Sequence, residues 1–242
     1  GLAYGLIKPK GIWSPFVLGA LWVVLEWAQG YGPFAMNWGR LALSQYNFAP
    51  NIQSASLFGS LFITFLLIYV NGLIALFLWQ LFNQKIFKKS LLIAAAFILA
   101  ANMCFGYIRI AVVNHSVKKA ASTPFAAVQV DFPSKEKWES TQSEIFDSHY
   151  DLTLQAIEAG AKVIVWPETT IISSLEDSAY YHRLKDLAET NQISLIIGSF
   201  HEDENGNSYN SLYCIDFGNE DFQLYHKRQL VPFGEFIPYE DF

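Results

Sequence analysis

Cysteine is scarce in this sequence, with Cys104 and Cys214 as the two examples among 242 residues. Two cysteines do not make a disulfide framework. Cys104 lies inside a long apolar run and Cys214 in the alternating stretch SLYCIDF, so we expect them not to pair. The sequence also lacks a cluster of metal-ligating side chains and a glycine-rich phosphate loop. We therefore expect no metal and no other cofactor.

Acidic residues are almost missing from the first half of the chain. Residues 1–120 contain nine lysines and arginines but a single acid, Glu26, which gives a formal charge of +8. Residues 121–242 contain seven basic and 21 acidic residues, which gives −14. A nucleic-acid partner needs a basic surface that replaces counterions. The acidic second half therefore argues against nucleic-acid binding.

Charge is also absent from long apolar runs. From Ser56 to Phe82 the chain has 27 residues without a charge, whereas a hydrocarbon core of about 30 Å needs roughly 20 residues of helix. We predict membrane spans over 56–82 and 90–110, and a shorter span over 14–28. The first domain is thus predicted to be a transmembrane domain over 1–115. A buried helix of a soluble protein is the alternative, and the length of the 56–82 run argues against it.

The short loops indicate how these spans are oriented. Lys8 and Lys10 precede the first span and three lysines lie between the second and the third, whereas loop 29–55 holds only Arg40. Short loops rich in lysine and arginine stay on the cytoplasmic side. We therefore expect loop 29–55, and everything after the third span, on the outer face of the membrane.

Short apolar runs alternate with helical stretches in the second half. FAAVQVDF, KVIVW and ISLIIGSF are typical of strands, and helices are predicted over 138–159 and 175–190. SLYCIDF and DFQLYHK flank the turn GNE, which predicts a hairpin. The pattern indicates an α/β domain over 122–242, with a sheet that is covered on at least one face.

Glu168 follows a buried strand directly, in VIVWPETT. Ligands usually bind at the carboxyl ends of strands in open α/β sheets. A carboxylate there, beside Trp166 and shielded by apolar neighbours, would have a raised pKa and would suit a general base. The alternative is a helix N-cap or first-turn acid that serves residues 169–175.

Lys227 opens a stiff segment near the end of the chain, YHKRQLVPFGEFIP, which also carries Glu235. An ammonium group lowers the pKa of a nearby thiol and stabilises a developing oxyanion. Glu235 would orient the lysine. The alternatives are a solvated lysine at a hairpin end and a surface acid after a glycine turn, and the spacing alone does not decide between them.

Several of these stretches resemble a known family. VWPE and YHKRQLVPFGEFIP are similar to motifs of the nitrilase superfamily, whose catalytic set is Glu, Lys and Cys. VQVDFPSKEKW, LEWAQG and QSASLFGSLFITFLLIYVNGLIAL resemble, more closely, its membrane-bound apolipoprotein N-acyltransferase family. The resemblance implies a multi-helix transmembrane domain followed by an α/β nitrilase-like domain, an α-β-β-α sandwich, on the extracytoplasmic face. It also implies a multi-pass protein of the bacterial inner (plasma) membrane.

The resemblance assigns a role to each candidate residue. Glu168 matches the general base, Lys227 the lysine that stabilises tetrahedral intermediates, and Glu235 a second essential carboxylate. Trp138 matches a tryptophan that binds substrate, and an ordinary aromatic of an amphipathic helix is its alternative. The nucleophilic cysteine of the family follows the lysine at a distance that would lie beyond Phe242. We therefore expect a fragment truncated at both ends, catalytically inactive as it stands, with neither cysteine as the nucleophile.

The implied reaction transfers an acyl chain from a phospholipid to the amine of a diacylglyceryl-cysteine apolipoprotein, through a cysteine thioester. The expected partners are that donor, that acceptor and the membrane, and we expect a monomer. A membrane-tethered carbon–nitrogen hydrolase, with water as acceptor, is the alternative. A non-enzymatic membrane protein such as a transporter subunit is a third reading. It would require charged groups inside the spans, and only Glu26 and Arg109 lie near span ends.

Overall fold

The computed structural model describes residues 2–7, 10–130 and 141–239. The chain divides into two compact units, one formed by Gly1–Ala120 with Val231–Phe242 and the other by Ala121–Leu230. The predicted domains, 1–115 and 122–242, stay a prediction. Trp138 lies outside the described residues.

The first unit is helical. It contains two long helices, Ser60–Trp79 and Lys89–Lys119, and short helices and turns connect them to the helix Trp13–Ala28. In chain order the elements are α1 (Leu2–Ile7), α2 (Trp13–Ala28), a 3₁₀ turn (Leu41–Gln45), α3 (Ala49–Ile52), α4 (Ala55–Phe58), α5 (Ser60–Trp79), a π turn (Gln80–Gln84) and α6 (Lys89–Lys119).

Within the described residues, two helical segments are long and apolar enough to cross a membrane, Ser60–Gln84 and Lys89–Lys119, while Trp13–Ala28 is shorter. The predicted run 56–82 is interrupted at Gly59, whose φ of 76° lies in the left-handed region and ends α4 before α5 begins. Helix α6 extends beyond the predicted 90–110, because the chain from Tyr107 to Lys119 contains no glycine or proline. Two lysines in its last turn also complement the helix dipole.

Glu26 is a buried carboxylate in α2, with 5% of its surface exposed. It accepts hydrogen bonds from the indole of Trp22 at 3.1 Å, the backbone N–H of Leu41 at 2.9 Å and the hydroxyl of Thr64 at 2.7 Å. These bonds tie α2 to the 3₁₀ turn and to α5. The carboxylate therefore has a structural explanation, which weakens the reading of this charge as part of a transport path.

The second unit contains one mixed sheet and two helices in its described residues. In chain order the elements are β1 (Phe125–Ala127), α7 (Gln142–Glu158), β2 (Val163–Val165), β3 (Ile171–Ser174), α8 (Ala179–Asn191), β4 (Ser194–Glu202), β5 (Ser208–Asp216) and β6 (Gln223–His226). The strand order is β1-β2-β4-β5-β6, and β3 also pairs with β4. The pairings among β1, β2, β3 and β4 are parallel, whereas β5 pairs antiparallel with both β4 and β6. Thr141 and Glu144 form a capping box at the start of α7.

The two faces of the sheet differ in what covers them. The helix face carries Leu195, Ile197 and Tyr213, which are fully buried in one cluster with Phe146 of α7 and Leu184 of α8. Side chains alternate along a strand, so the neighbouring positions point to the opposite face, which we call the pocket face. Leu212 and Tyr225 lie there and are 39% and 52% exposed. The predicted sheet, covered on at least one face, is confirmed.

Strand β3 lies where the sequence left a helix start as an alternative. Thr170 donates its backbone N–H to the carbonyl of Gly198 at 2.9 Å, and Ile171 then pairs with Ser199. The β-branched Ile171 and Ile172 favour an extended backbone. Glu168 is therefore not a helix cap, and the helix predicted over 175–190 begins instead at Ala179.

Candidate functional site

Residues 167–169 form an outward bulge, which we call the excursion, between β2 and β3. Both of these strands pair with β4, and Glu168 is the middle residue of the excursion. Trp166 donates its backbone N–H to the carbonyl of Ile196 at 2.9 Å, and Thr170 donates to that of Gly198. Three residues, 167–169, thus lie between the two donors, whereas one residue of β4 lies between the two acceptors. The surplus chain must bulge away from the ladder, which presents Glu168 at the end of β2.

The excursion is held in shape by its own contacts. Thr169 has a φ of 54°, in the left-handed region, and the hydroxyl of Thr170 donates to the carbonyl of Pro167 at 2.7 Å. A Cβ on Gly198 would lie 2.2 Å from that same carbonyl oxygen and 2.7 Å from Cα of Glu168. Sequence reasoning missed Gly198, although a lone glycine inside an apolar strand signals a close backbone approach.

Lys227 and Asn210 reach the same carboxylate from β6 and β5. The backbone N–H of Lys227 donates to the carbonyl of Asn210 at 2.8 Å, which extends the hairpin register by one pair. Nζ of Lys227 donates to Oε1 of Glu168 at 2.8 Å, and Nδ2 of Asn210 donates to the same oxygen at 2.5 Å. The structure therefore brings Glu168 and Lys227 together and adds Asn210, which the sequence reasoning did not single out.

A pocket of about 200 Å³ opens beside this pair on the pocket face. It combines a proton acceptor, a cation and an amide with apolar walls, which are the groups needed to accept a proton and to stabilise an anion. The lining residues are Glu168, Asn210, Ser211, Leu212, Tyr225 and Lys227. The catalytic roles of Glu168 and Lys227 stay predictions.

The expected apolar shield around Glu168 is not formed by Trp166. That side chain is 1% exposed, and its indole donates to the hydroxyl of Thr153 in α7 at 2.8 Å, so it belongs to the helix face. The side chain of Glu168 is 57% exposed and that of Lys227 is 29% exposed. The carboxylate is defined by its polar contacts rather than by burial.

Glu235 lies in the unit that contains Val231–Phe242. Its carboxylate accepts the backbone N–H of Val231 at 2.7 Å, and its own N–H donates to the carbonyl of Val231 at 2.9 Å. Phe233, between them, has a φ of 63°. The VPFGE segment is therefore a tight turn closed by the acid itself, and the role of Glu235 stays a prediction, as does that of Trp138.

Neither cysteine of the chain lies at the carboxylate. Cys214 is four residues from Asn210 on β5, which places their Cα atoms about 13 Å apart along the strand, and it pairs with Ile196. Burial raises the pKa of its thiol, and the neighbouring Asp216 raises that pKa further. Cys104 lies in α6, in the other unit. Within the described residues, no group of three or more His, Cys, Asp or Glu side chains is placed to hold a metal ion.

Two family models match the chain. The model described as carbon-nitrogen hydrolase matches residues 125–241, which include the whole pocket. The model described as apolipoprotein N-acyltransferase N-terminal domain matches residues 1–73. The nitrilase-like identity of the mixed-sheet unit is therefore supported by its sequence match.

Curated relatives named apolipoprotein N-acyltransferase match nearly the whole chain. The apolipoprotein N-acyltransferase of Rhizobium meliloti (strain 1021) is 28% identical over 257 residues, covering 100% of this chain and 47% of the relative. That of Vibrio cholerae is 27% identical, covering 92% of this chain and 43% of the relative. The chain thus spans about half the length of the curated relatives it matches.

Solved structures overlap with the chain less extensively. A carbon-nitrogen hydrolase from Helicobacter pylori G27 is 19% identical with a TM-score of 0.34, over 48% of this chain and 42% of that one. An N-terminal amidase is 15% identical with a TM-score of 0.35, over 43% of this chain and 27% of that one. Such partial overlaps add nothing to the assignment. On the two family models and the curated relatives, the chain belongs to the apolipoprotein N-acyltransferase family, and its second unit is a carbon–nitrogen hydrolase domain.

Proposed function

We propose that the full-length protein transfers an acyl chain from a phospholipid to the amino-terminal amine of a diacylglyceryl-cysteine apolipoprotein. The observation that carries this proposal is the contact of Lys227 with Glu168 in a pocket of the carbon–nitrogen hydrolase domain. The curated relatives are named for lipoprotein N-acylation. Apolar helices on the same chain suit substrates that are both anchored in lipid.

The first half-reaction forms a thioester. Glu168 takes the proton of a cysteine thiol, and the thiolate attacks the ester carbonyl of the phospholipid. The ammonium group of Lys227 stabilises the oxyanion of the tetrahedral intermediate. When the intermediate collapses, the ester C–O bond breaks, Glu168 returns the proton to the leaving alcohol, and a lysophospholipid departs.

The second half-reaction consumes the thioester. The free amine of the apolipoprotein attacks the thioester carbonyl, and Glu168 accepts the proton that the amine loses as the amide forms. The C–S bond breaks, and the thiolate recovers the proton from Glu168. Because the first product leaves before the second substrate reacts, the kinetics are ping-pong. No step requires a metal or a nucleotide.

The nucleophilic cysteine is proposed to come from sequence outside these 242 residues. The position and raised pKa of Cys214 support this, since a nucleophile needs a reachable thiolate. Glu235 is proposed as a second carboxylate that supports Lys227, and Trp138 as a substrate-binding side chain. Without the cysteine, the 242-residue chain is expected to be inactive.

The proposed setting is a bacterial plasma membrane. The spans over 14–28, 56–82 and 90–110 would make the protein multi-pass, with the carbon–nitrogen hydrolase domain on the periplasmic side and its sheet forming half of an α-β-β-α sandwich. We expect a monomer. The lysines between the second and third spans, against a single arginine in loop 29–55, support this orientation.

A membrane-tethered carbon–nitrogen hydrolase is the second candidate. The match of residues 125–241 to the general carbon-nitrogen hydrolase model favours it, because the same carboxylate and lysine serve amide hydrolysis. The acceptor distinguishes the two functions: a lipoprotein amine in the first and water in the second.

The test uses the full-length protein in detergent with phospholipid, followed by intact mass with and without neutral hydroxylamine. An acyl-sized, hydroxylamine-labile adduct that a diacylglyceryl lipopeptide discharges is the expected result. Glu168→Gln and Lys227→Ala should abolish the adduct, whereas Gln223→Ala, an exposed change on β6, should not. Absence of an adduct together with hydrolysis of small amides would establish the second candidate instead.

A further inference from the structure

A second cluster of polar and aromatic side chains lies on the helix face, directly behind Lys227. In the hairpin, Ser211 pairs with His226, one position from the Asn210–Lys227 pair. Oγ of Ser211 and Nδ1 of His226 are hydrogen-bonded at 2.9 Å. Because side chains alternate between faces, this bond ties the two strands on one side while Asn210 and Lys227 meet Glu168 on the other.

The ring of His226 is also stacked against two neighbours. Its ring centroid lies 4.4 Å from that of Tyr209, with an angle of 26° between the ring planes, and 5.2 Å from that of His201, with an angle of 25°. Offset aromatic contacts of this kind stabilise a structure beyond the effect of the area they bury. Tyr209 belongs to β5 and His201 to β4, so the stack joins three adjacent strands at this end of the sheet.

The stack is anchored at its far side by a carboxylate. Nδ1 of His201 lies 2.6 Å from Oε1 of Glu176, which follows β3, and the hydroxyl of Tyr213 donates to the other oxygen of that carboxylate. Tyr213 is fully buried and Ser211 is 2% exposed. The orientation of the His201 ring, and therefore the surface against which His226 packs, is fixed by these bonds.

Strand β6 needs such support because it is short and lies at the edge of the sheet. It has four residues, and β5 is its single strand neighbour in the described chain. A short edge strand has few backbone hydrogen bonds and opens more easily than a central one. Lys227 immediately follows it, and its ammonium group must stay within hydrogen-bond distance of Glu168.

We propose that His226, through its hydrogen bond to Ser211 and its stack on Tyr209 and His201, is a positioning residue for Lys227. This inference rests on the proposed function of the pocket. His226 does not face the pocket; it fixes the backbone from which Lys227 extends. Because a displacement of about 1 Å at a reacting group costs roughly 100-fold in rate, small movements of β6 are expected to lower turnover more than substrate binding.

Four variants of the full-length protein separate the contributions. His226→Phe keeps a ring for the stack and removes the hydrogen bond, whereas His226→Asn keeps a polar atom close to the place of Nδ1 and removes the ring. Gln223→Ala, on the same strand, is the matched control. Lys227→Ala in the same acyl-enzyme assay provides the reference for loss of the lysine itself.

The first readout is amide hydrogen exchange at Lys227, whose N–H is bonded to Asn210; the second is the rate of acyl-enzyme formation. We expect His226→Phe to accelerate this exchange about tenfold and to lower the maximal rate of acyl-enzyme formation about tenfold, with the half-saturating phospholipid concentration within about twofold. His226→Asn should recover most of that maximal rate, and Gln223→Ala should change neither the exchange nor the rate.

Unchanged exchange in His226→Phe would overturn the inference whatever the activity. Faster exchange with full activity would also overturn it, provided that Lys227→Ala is inactive, and the proposed function would then survive. If Lys227→Ala retained full activity, the assignment of the lysine itself would be wrong, and the positioning role would fall with it.

Discussion

At the scale of single residues, Gly198 makes room for the backbone that carries the Glu168 carboxylate. The backbone of Pro167 and Glu168 passes so close to β4 that any side chain at position 198 would overlap it. Overpacking of this kind forces the backbone to shift, at a cost of about 1–3 kcal/mol. Both the stability of the domain and the contact of Glu168 with Lys227 therefore depend on the absence of one methyl group.

We expect Gly198→Ala to lower the free energy of unfolding by about 1–3 kcal/mol and to lower acyl-enzyme formation by at least about tenfold, since the carboxylate would move. Denaturant unfolding of the protein in detergent and the acyl-enzyme assay measure the two effects. Gly5→Ala is the matched control, because a Cβ there meets nothing within 4 Å. Wild-type values for both quantities in Gly198→Ala would contradict this prediction, because they would show that residues 167–169 can shift to make room for the methyl group without moving the carboxylate.

The sequence identified Glu168 and Lys227 because each follows a strand, and strand ends are local features. Asn210 was missed because its contact depends on the register of β5 against β6, which no local pattern encodes. The expected shielding of Glu168 by apolar neighbours was wrong for a related reason. Alternation placed Trp166 on the helix face, whereas the three-residue excursion carried Glu168 out of the alternation altogether.

At the scale of elements, strands were easier to predict than their ends or their partners. The buried runs and the hairpin appear as β1, β2, β4, β5 and β6, because apolar runs of that length suit a covered sheet. Strand β3 was missed because its pairing with β4 begins only after the excursion. The interruption at Gly59 was missed because hydropathy does not register a backbone turn.

Helix α7 supplies a test of an element boundary. The hydroxyl of Thr141 accepts the backbone N–H of Glu144, and the carboxylate of Glu144 accepts the N–H of Thr141. Removing such a cap costs about 1 kcal/mol. We expect Thr141→Ala to lower the free energy of unfolding by that amount at pH 7, and Thr141→Ser to retain it.

The pH dependence of this effect follows from Glu144. The hydrogen bond from the backbone N–H of Thr141 lowers the pKa of this carboxyl below its ordinary value of 4.5, and the bond from the Thr141 hydroxyl lowers that pKa by a smaller amount. The stabilisation is therefore fully present above that pH and is lost as the pH falls through the folded-state pKa. Unfolding measured from pH 7 down to pH 3 should show the difference between wild type and Thr141→Ala shrinking; a constant difference would exclude the carboxylate from the cap.

At the scale of the whole molecule, charge and hydropathy separate the chain into two halves of opposite character. In the part of the chain that the structure describes, the basic, apolar half contains two segments long enough to span a membrane, and the acidic half contains the pocket beside Glu168. The sequence sufficed to predict this division because composition averages over many residues. The orientation of the halves across a membrane depends instead on a few lysines in short loops, and it is the feature that an experiment in cells tests most directly.

Orientation is tested with single cysteines in a full-length background from which every native cysteine has been removed, Cys104→Ala, Cys214→Ala and the proposed nucleophile included. Glu204→Cys lies in the exposed turn between β4 and β5, and Ile86→Cys lies in the exposed loop between the π turn and α6. If the positive loops stay in the cytoplasm, a membrane-impermeant maleimide added to spheroplasts should label Glu204→Cys at once and Ile86→Cys only after permeabilisation. The reverse pattern would place the pocket in the cytoplasm, out of reach of a lipoprotein acceptor on the outer face, and would favour the hydrolase over the acyltransferase.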